Sequence, residues 1–324
     1  MSARRAFAES VGEISRYPDP YGDKLKAALA ARHRMDAAQV LVGNGSTQLI
    51  YLLCAALRPR KALVVGPAFS EYANALSLGG AQIRDLSLAA NDDFQFSPER
   101  FMAAWEKDCD IAIVATPNSF TGQLVPKPSL EKIARAASAR KNLLVVDEAF
   151  VDFVESESIK MMVRHNPYLL VLRSLTKYYA LPGLRLGYLL GNERRIAEIA
   201  AFQEPWAVNA PALNVALACL EDPQFATQTD RWLARERAFL SKQLTALGGF
   251  RALPSQANFL LVKIESGNDA LRLCTFLLGK KILIRACDSF AGLGAKYFRV
   301  AVRRRRDNLR LVAALREWRA ALCG

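Results

Sequence analysis

One lysine lies in a segment whose residue types could do covalent chemistry. Residues 174–177 read Ser-Leu-Thr-Lys, and Arg185 follows within Pro-Gly-Leu-Arg-Leu-Gly. A lysine that forms a Schiff base with an aldehyde must be partly desolvated, so that its amine can be neutral near pH 7. Serine hydroxyls and arginine guanidinium groups are donors that hold a phosphate. The segment therefore predicts that Lys177 is a nucleophile and that it lies beside a phosphate-binding site formed partly by Ser174 and Arg185. The alternative is a solvated lysine in a polar loop.

A cofactor with both an aldehyde and a phosphate is pyridoxal 5'-phosphate, which also needs an acid at its ring nitrogen. A second phosphate-binding segment is Gly45-Ser46-Thr47, just before a predicted helix. Glycine lets the backbone approach a ligand closely, and a helix start directs free N–H groups at an anion. The alternative is that Ser46 or Thr47 simply caps the helix.

Three further residues follow apolar runs and could contact the cofactor ring. Asp147 ends the run 143–146 and could keep the ring nitrogen protonated, although a helix cap or an ion pair would also explain it. Asn118 lies in a Pro-Asn-Ser-Phe-Thr-Gly loop and could donate to the phenolic oxygen, or could be only a turn residue. Phe69, after Gly-Pro-Ala, could stack on the ring or pack in the core.

Two arginines near the end of the chain could bind an anionic substrate. In the run Phe298 to Val302, alternation puts Arg299 on the opposite face from the large apolar residues. An arginine in such a place needs an anionic partner, either a substrate carboxylate or an internal carboxylate. Arg285 ends another predicted strand and could contact a second anionic group.

The elements that position these residues follow an α/β pattern. Unbroken apolar runs at 62–65, 111–114, 143–146 and 169–172 predict strands buried on both faces of a mostly parallel sheet. Stretches 23–34, 49–57 and 130–138 predict helices between them. Ligands of such sheets bind beyond the carboxyl ends of the strands, where Asn118, Asp147 and Lys177 all follow.

After Pro205 the pattern changes to that of a smaller α+β domain. A helical region from about 210 to 247 contains a predicted break near Asp222-Pro223, and strands are predicted at 258–262, 282–284 and 298–302 before a final helix, 308–322. We expect an N-terminal segment, residues 1–40, that packs with the small domain. The large cofactor-binding domain would span 41–206 and the small domain 207–324.

Composition narrows the class of protein. The chain has 324 residues, is 52% hydrophobic and carries a net charge of +13. No apolar run is long enough to span a bilayer, and no secretory signal is evident. Six scattered cysteines and two histidines favour reduced thiols in the cytoplasm and no metal site. The run of arginines at 303–306 suggests nucleic acid, but no DNA-reading module accompanies it, so we expect a solvated strand exit instead.

Taken in order, these motifs resemble the class I/II aminotransferase family of pyridoxal-phosphate fold type I, over roughly residues 17–320. The resemblance implies Lys177 as the Schiff-base lysine, Asp147 at the ring nitrogen, Asn118 at the phenolic oxygen, and Arg299 at the substrate carboxylate. It implies a homodimer, with Tyr17 of Arg-Tyr-Pro-Asp reaching the cofactor phosphate of the partner subunit. Other cofactor-binding residues implied are Gly45, Ser46, Thr47, Phe69, Phe150, Ser174 and Arg185.

Within the family, four stretches resemble the L-threonine-O-3-phosphate decarboxylases of cobalamin biosynthesis: residues 147–153, 173–188, 205–209, and 282–285 with 297–303. The related histidinol-phosphate aminotransferases usually have a tyrosine where Phe150 stands, and they are the alternative. A non-catalytic regulatory sensor on this fold is a more remote alternative. Family members usually carry a further N-terminal arm that closes over the substrate. Little sequence precedes Tyr17 here, so we expect that arm to be short or missing.

Overall fold

The computed structural model describes residues 2–265, 269–290 and 292–323, so the outer ends of the predicted terminal segments, residues 1 and 324, lie outside it. Two sheets organise the described chain. The strands of the larger sheet are β1 Val40–Gly43, β2 Lys61–Gly66, β3 Gln82–Ser87, β4 Ile111–Ala115, β5 Leu143–Asp147, β6 Leu169–Ser174 and β7 Gly187–Leu190. Those of the smaller sheet are β8 Phe250–Ala252, β9 Phe259–Ile264, β10 Arg285–Ala286 and β11 Tyr297–Ala301.

Helices cover both sheets. Those in the first half of the chain are α1 Ser2–Ser10, α2 Asp23–His33, α3 Gly45–Leu57, α4 Ser70–Leu78, α5 Pro98–Ala104, α6 Lys127–Arg140 and α7 Leu175–Tyr178. Those that follow are α8 Glu193–Ala200, α9 Ala210–Leu220, α10 Pro223–Leu247, α11 Ala270–Gly279 and α12 Arg305–Cys323. The predicted break near Asp222-Pro223 is confirmed, because α9 ends before Asp222 and α10 begins at Pro223 with Asp222 as its N-cap.

The larger sheet has the strand order β1-β7-β6-β5-β4-β2-β3, and the prediction of a mostly parallel sheet is confirmed. Strands β2 to β6 pair in parallel, whereas β7 runs antiparallel to both β6 and β1. Side chains of one strand alternate between two cores. For example, Leu63 and Val65 belong to one core and Val64 to the other. Burial on both faces explains why these strands read as unbroken apolar runs.

The smaller sheet is antiparallel, in the order β10-β11-β9-β8, and packs against α10, α11 and α12. The predicted strand 282–284 is wrong. The turn that ends α11 reaches Ile282, whose N–H donates to the carbonyl of Leu277, and pairing with β11 begins only at Arg285. Without a neighbouring strand, the β-branched residues at 282 and 284 pack partly against the small core instead.

The first thirty residues contact both halves of the chain. Helix α1 packs on α9, and α2 packs on α9 and on the edge strand β1. The predicted division into residues 1–40, 41–206 and 207–324 stays a prediction. No helix among the described residues combines the length and apolarity needed to cross a membrane.

Candidate active site

The carboxyl ends of the parallel strands bring the predicted polar residues together at one edge of the larger sheet. Asp147 ends β5, Ser174 ends β6, and Asn118 follows β4. The Asn118 side-chain amide donates to the carbonyl of Pro67, just beyond β2, at 2.9 Å, and its oxygen accepts from the N–H groups of Phe120 and Thr121. Asn118 is therefore both a turn residue and a link between two strand ends.

Lys177 lies in the short helix α7, directly after β6, and is half-buried. Burial lowers the pKa of its amine, and the positive charges of Arg185 and Arg299 lower it further, while Asp147 acts in the opposite direction. The amine nitrogen lies 5.9 Å from the centroid of the Phe150 ring, which is itself buried against Phe259. The predicted desolvated lysine is thus present, with an apolar wall beside it.

Asp147 is buried, and burial raises the pKa of its carboxyl. One carboxylate oxygen accepts from the N–H of Ala149 at 2.8 Å, and the other accepts a short hydrogen bond from the Tyr72 hydroxyl. No described residue forms an ion pair with it within 4.0 Å, so the ion-pair alternative does not hold. A buried carboxyl without a neutralising cation is suited to hold a proton or a cationic ring nitrogen.

Tyr72 belongs to this site but was not predicted. It lies on α4, is fully buried, and contacts Phe69 edge-on with the two ring centroids 5.9 Å apart. Phe69 is the N-cap of the same helix, and it is therefore held next to the partner of Asp147. The signal in the sequence was the three-residue spacing from Phe69, which puts both rings on one side of the first helical turn.

The glycine-containing segment at the start of α3 is packed tightly against Arg185. Helix α3 begins at Gly45 after the N-cap Asn44, so the alternative in which Ser46 or Thr47 is the cap is wrong. Gly45 has φ +79°, and a Cβ there would lie 2.7 Å from Arg185 Nη2. A Cβ at Gly187 would lie 2.4 Å from the backbone nitrogen of Ser46. Glycine at both positions thus lets the Arg185 guanidinium and the start of β7 close over the first turn of α3.

The hydroxyls that we expect to bind the cofactor phosphate differ in their contacts. Those of Ser46 and Thr47 make no hydrogen bond to any other residue in the described part of the chain, and both side chains are partly exposed. Ser174 is buried, and its hydroxyl lies 2.8 Å from that of Thr176. The first turn of α3 therefore presents two unused hydroxyls beside an arginine.

Arg299 lies on β11, largely buried, and its guanidinium donates to the carbonyl of Ser119. It packs over the Phe259 ring at 4.6 Å, and burial lowers the pKa of the guanidinium. No carboxylate of the described residues lies within ion-pair distance, so the alternative of an internal salt bridge does not hold there. Arg285 is exposed on β10, directly opposite Arg299 in the strand pairing, and it lies over Phe290.

Tyr17 lies apart from this cluster within the protomer. Its ring is 83% exposed, and its described ring contact is with Trp206, at a centroid distance of 4.9 Å. An exposed aromatic residue held in place by another aromatic ring is compatible with a contact to a second chain. Its predicted role at the partner's phosphate stays a prediction.

A second charged cluster lies behind the site. Arg173 is fully buried and pairs with Glu148 and Asp152, each at 3.1 Å, and with Glu155. The Ser158 hydroxyl donates to Glu148 at 2.6 Å. We call Arg173, Glu148, Asp152, Glu155 and Ser158 the Arg173 cluster. Glu148 follows Asp147 in the chain and Arg173 precedes Ser174, so the two clusters share the same strand ends.

Comparison with known proteins decides the family. The model of the aminotransferase class I and II family matches residues 1–315. The chain belongs to this family. It is 39% identical to the threonine-phosphate decarboxylase of Salmonella typhimurium over 98% of this chain and 86% of that protein. It is 35% identical to the histidinol-phosphate aminotransferase of Nitratidesulfovibrio vulgaris, over 93% and 80%. The histidinol-phosphate aminotransferase structure from Clostridium acetobutylicum has a TM-score of 0.91 at 27% identity, covering 98% and 94%.

As a member of this aminotransferase family, the protein is an enzyme that depends on pyridoxal 5'-phosphate. The residues present fit that cofactor. The Arg185 guanidinium packed against Gly45, the unused hydroxyls of the first turn of α3, and the half-buried Lys177 amine with its lowered pKa are what a phosphate and an aldehyde require. Asp147 would supply the acid.

Proposed function

We propose that this enzyme decarboxylates L-threonine O-3-phosphate, and that it does so in cobalamin biosynthesis. The observation that carries the proposal is the pair of arginines on neighbouring strands, Arg299 and Arg285, opposite each other in register. This substrate bears a carboxylate and a phosphate, so two adjacent guanidinium groups match its two anionic groups. The 39% identity to a threonine-phosphate decarboxylase supports the same substrate.

A histidinol-phosphate aminotransferase is the second candidate. The 35% identity to such an enzyme and the TM-score of 0.91 to another favour it. Histidinol phosphate itself has a single anionic group, so it would engage only one of the two arginines in the half-reaction in which it binds. Phe150 offers no hydroxyl beside Lys177, where those aminotransferases usually have a tyrosine. We prefer the decarboxylase for these two reasons.

The roles of the protein groups follow from their surroundings. When bound, pyridoxal phosphate captures the substrate amine and accepts the electrons of the bond broken at Cα. Lys177 would carry the cofactor and, as a neutral amine, would accept or return a proton at Cα. Asp147 would hold the proton at the ring nitrogen, while Asn118, with one amide N–H already given to Pro67, would donate the other to the phenolic oxygen.

The choice between decarboxylation and transamination lies in orientation. The cofactor would accept electrons from whichever bond at Cα the protein aligns with it, so a decarboxylase has to fix the orientation of the substrate carboxylate. Arg299 is held by the Ser119 carbonyl and the Phe259 ring, so its guanidinium is already oriented. We assign it the positioning of the carboxylate, and Arg285 the phosphate.

We further propose a homodimer in the cytoplasm, with Tyr17 completing the partner's phosphate site. The exposed ring of Tyr17 and its contact with Trp206 support the dimer. The five cysteines whose side chains the structure describes are free, in keeping with a reducing compartment.

The test is to add L-threonine O-3-phosphate to the cofactor-loaded enzyme, without any keto acid, and to measure CO₂ release. We expect steady release over many turnovers. Lys177→Ala is the negative control, and L-threonine, which lacks the phosphate, should react much more slowly. Absence of CO₂, together with keto-acid-dependent conversion of histidinol phosphate, would assign the enzyme to the aminotransferases. Absence of both reactions, with the cofactor bound, would favour the non-catalytic sensor.

A further inference from the structure

The run of arginines at 303–306 has a structural setting that the active site does not explain. It follows β11 and continues into the first turn of α12, and three of its residues line a groove of about 730 Å³ against α10. The groove is lined by Arg303, Arg304, Arg306, Asp307, Phe225 and Trp232, among others. Its volume is within the range of about 300–1,000 Å³ typical of small-molecule sites.

The charges in this groove do not cancel. Arg303 and Arg306 share one carboxylate, that of Asp307, at 3.2 and 3.6 Å. Arg304 forms no ion pair or side-chain hydrogen bond with any described residue. Arg305 points elsewhere, because both carboxylate oxygens of Glu236 bind it, at 3.0 and 3.1 Å. Three guanidinium groups face one carboxylate, so the groove carries a surplus of positive charge.

The opposite wall is aromatic. Phe225 and Trp232 lie on α10, seven residues apart, and therefore on one face of that helix. Trp232 is partly buried against the small core, which fixes its ring. A flat ring can stack on a tryptophan, while guanidinium forks bind phosphate oxygens in pairs.

We propose that this groove binds a nucleotide, with the phosphates on Arg304, Arg303 and Arg306 and the base on Trp232. The occupied groove would be connected to the active site by α10. The Phe225 ring stacks on Tyr179 at 5.4 Å, and the Tyr178 hydroxyl donates to Asp230 of α10 at 2.8 Å. Tyr178 and Tyr179 directly follow Lys177.

The test uses the cofactor-loaded enzyme and calorimetric titration at about 0.15 M salt. The probes are ATP, inorganic triphosphate and a short single-stranded oligonucleotide. We expect ATP to bind about tenfold or more tightly than triphosphate, because base stacking is worth about 1–3 kcal/mol. The cofactor's visible absorbance should persist, and Lys177→Ala should bind ATP equally well, so the result is independent of the proposed reaction.

Matched variants identify the groove. Arg304→Gln should weaken both ATP and triphosphate about tenfold, the effect of losing one charged hydrogen bond. Arg316→Gln removes the same charge from an exposed position further along α12 and should change nothing. Trp232→Leu removes the flat ring but keeps an apolar side chain, and it should reduce the affinity for ATP to that for triphosphate. If that variant is unstable, the comparison of Arg304→Gln with Arg316→Gln still decides.

Three results would overturn the proposal. Equal affinities for ATP and triphosphate would remove the role of the ring. Equal behaviour of the variants at 304 and 316 would place binding elsewhere. Preference for the oligonucleotide over ATP, with a steep salt dependence, would make the groove part of a nucleic-acid surface.

Discussion

The two charged clusters at the ends of β5 and β6 differ in one respect. The Arg173 cluster pairs its charges internally, because its guanidinium meets three carboxylates and Glu148 also accepts from Ser158 and from the N–H of Ile159, although Arg173 Nε and Asp152 Oδ2 are buried without a hydrogen-bond partner among the described residues. The active-site cluster does not, because Asp147 has no ion-pair partner and Arg299 meets no carboxylate among the described residues. Asp147 and Glu148 are neighbours in the chain. Asp147 belongs to the active-site cluster, which we call open, and Glu148 belongs to the Arg173 cluster, which we call closed. The closed cluster holds the strand ends, and the open one leaves charges for ligands.

The largest effect on turnover should come from removing the proposed nucleophile of the open cluster, Lys177. Lys177→Ala should lower turnover by about 10⁴-fold or more, since no other group can replace the amine. The visible absorbance of the cofactor-loaded enzyme should be lost, while the thermal unfolding midpoint of the cofactor-free protein should hardly change. Lys132→Ala, at an exposed position, is the control. Retention of both activity and the visible band would contradict the assignment of Lys177.

Breaking the closed cluster should affect stability instead. Arg173→Met leaves buried carboxylates without a cation and should cost about 3–5 kcal/mol in the free energy of unfolding. Asp147→Asn has no such partner to lose and should change stability by only about 1 kcal/mol, yet lower turnover about a hundredfold or more. Denaturant unfolding and turnover of both variants test the contrast. Arg135→Met on the surface is the stability control. Equal losses of stability in the two variants would refute the distinction.

Arg185 should set the protonation of Lys177. Its positive charge lowers the pKa of the Lys177 amine, so Arg185→Gln should raise that pKa and move the reactive, neutral form to higher pH. The measurement is the pH profile of covalent capture of Lys177 in the cofactor-free protein by an aldehyde and borohydride, followed by mass spectrometry. Arg316→Gln should leave the profile in place. A shift towards lower pH would contradict the charge argument.

A pH-dependent effect on stability is expected beside the closed cluster, at His33. Its Nε2 lies 2.8 Å from the Tyr188 hydroxyl, and burial lowers its pKa from 6.5 to about 3. Between these values the unfolded chain binds a proton that the folded protein does not, so acid favours unfolding. Each unit by which the pH falls in this range therefore lowers the free energy of unfolding by up to about 1.4 kcal/mol. His33→Gln should flatten the dependence of unfolding free energy on pH in that range, and an unchanged slope in this variant would contradict the account.

The open cluster was largely predictable from the sequence because its residues follow buried strands, and parallel strands end at a common edge. Asp147, Asn118 and Lys177 could all be predicted in this way. Tyr72 could not, since it lies on a helix, where the sequence does not distinguish a tyrosine that only packs from one that also hydrogen-bonds a carboxyl. The Arg173 cluster was missed for a related reason. Arg173 stands inside an apolar run, and its three acidic partners come from residues 148–155, which gave no strand or helix signal.

The strands of the smaller sheet were less predictable from the sequence. Strand formation at 282–284 depends on a neighbour in space, and intrinsic preference for β structure could not say that pairing begins at Arg285. The same applies to the edge strand β1, whose short run gains its meaning only from pairing with β7. Local composition indicates the elements of the parallel sheet well because both faces of its strands are buried. It indicates edge strands poorly because their partners, rather than their residues, define them.

The pairing of β1 with β7 also determines which parts of the fold can form first while the chain is being synthesised. Strand β1 lies at the edge of the sheet and has β7 as its neighbour there, with Val40 opposite Leu190. A ribosome that adds 5–20 residues per second takes roughly 8–30 s to pass from one strand to the other. Until then β1 has no strand to pair with, and the turn that begins α3 cannot close under Gly187. A nascent chain halted before residue 187 would therefore hold a nearly complete parallel sheet and no phosphate site.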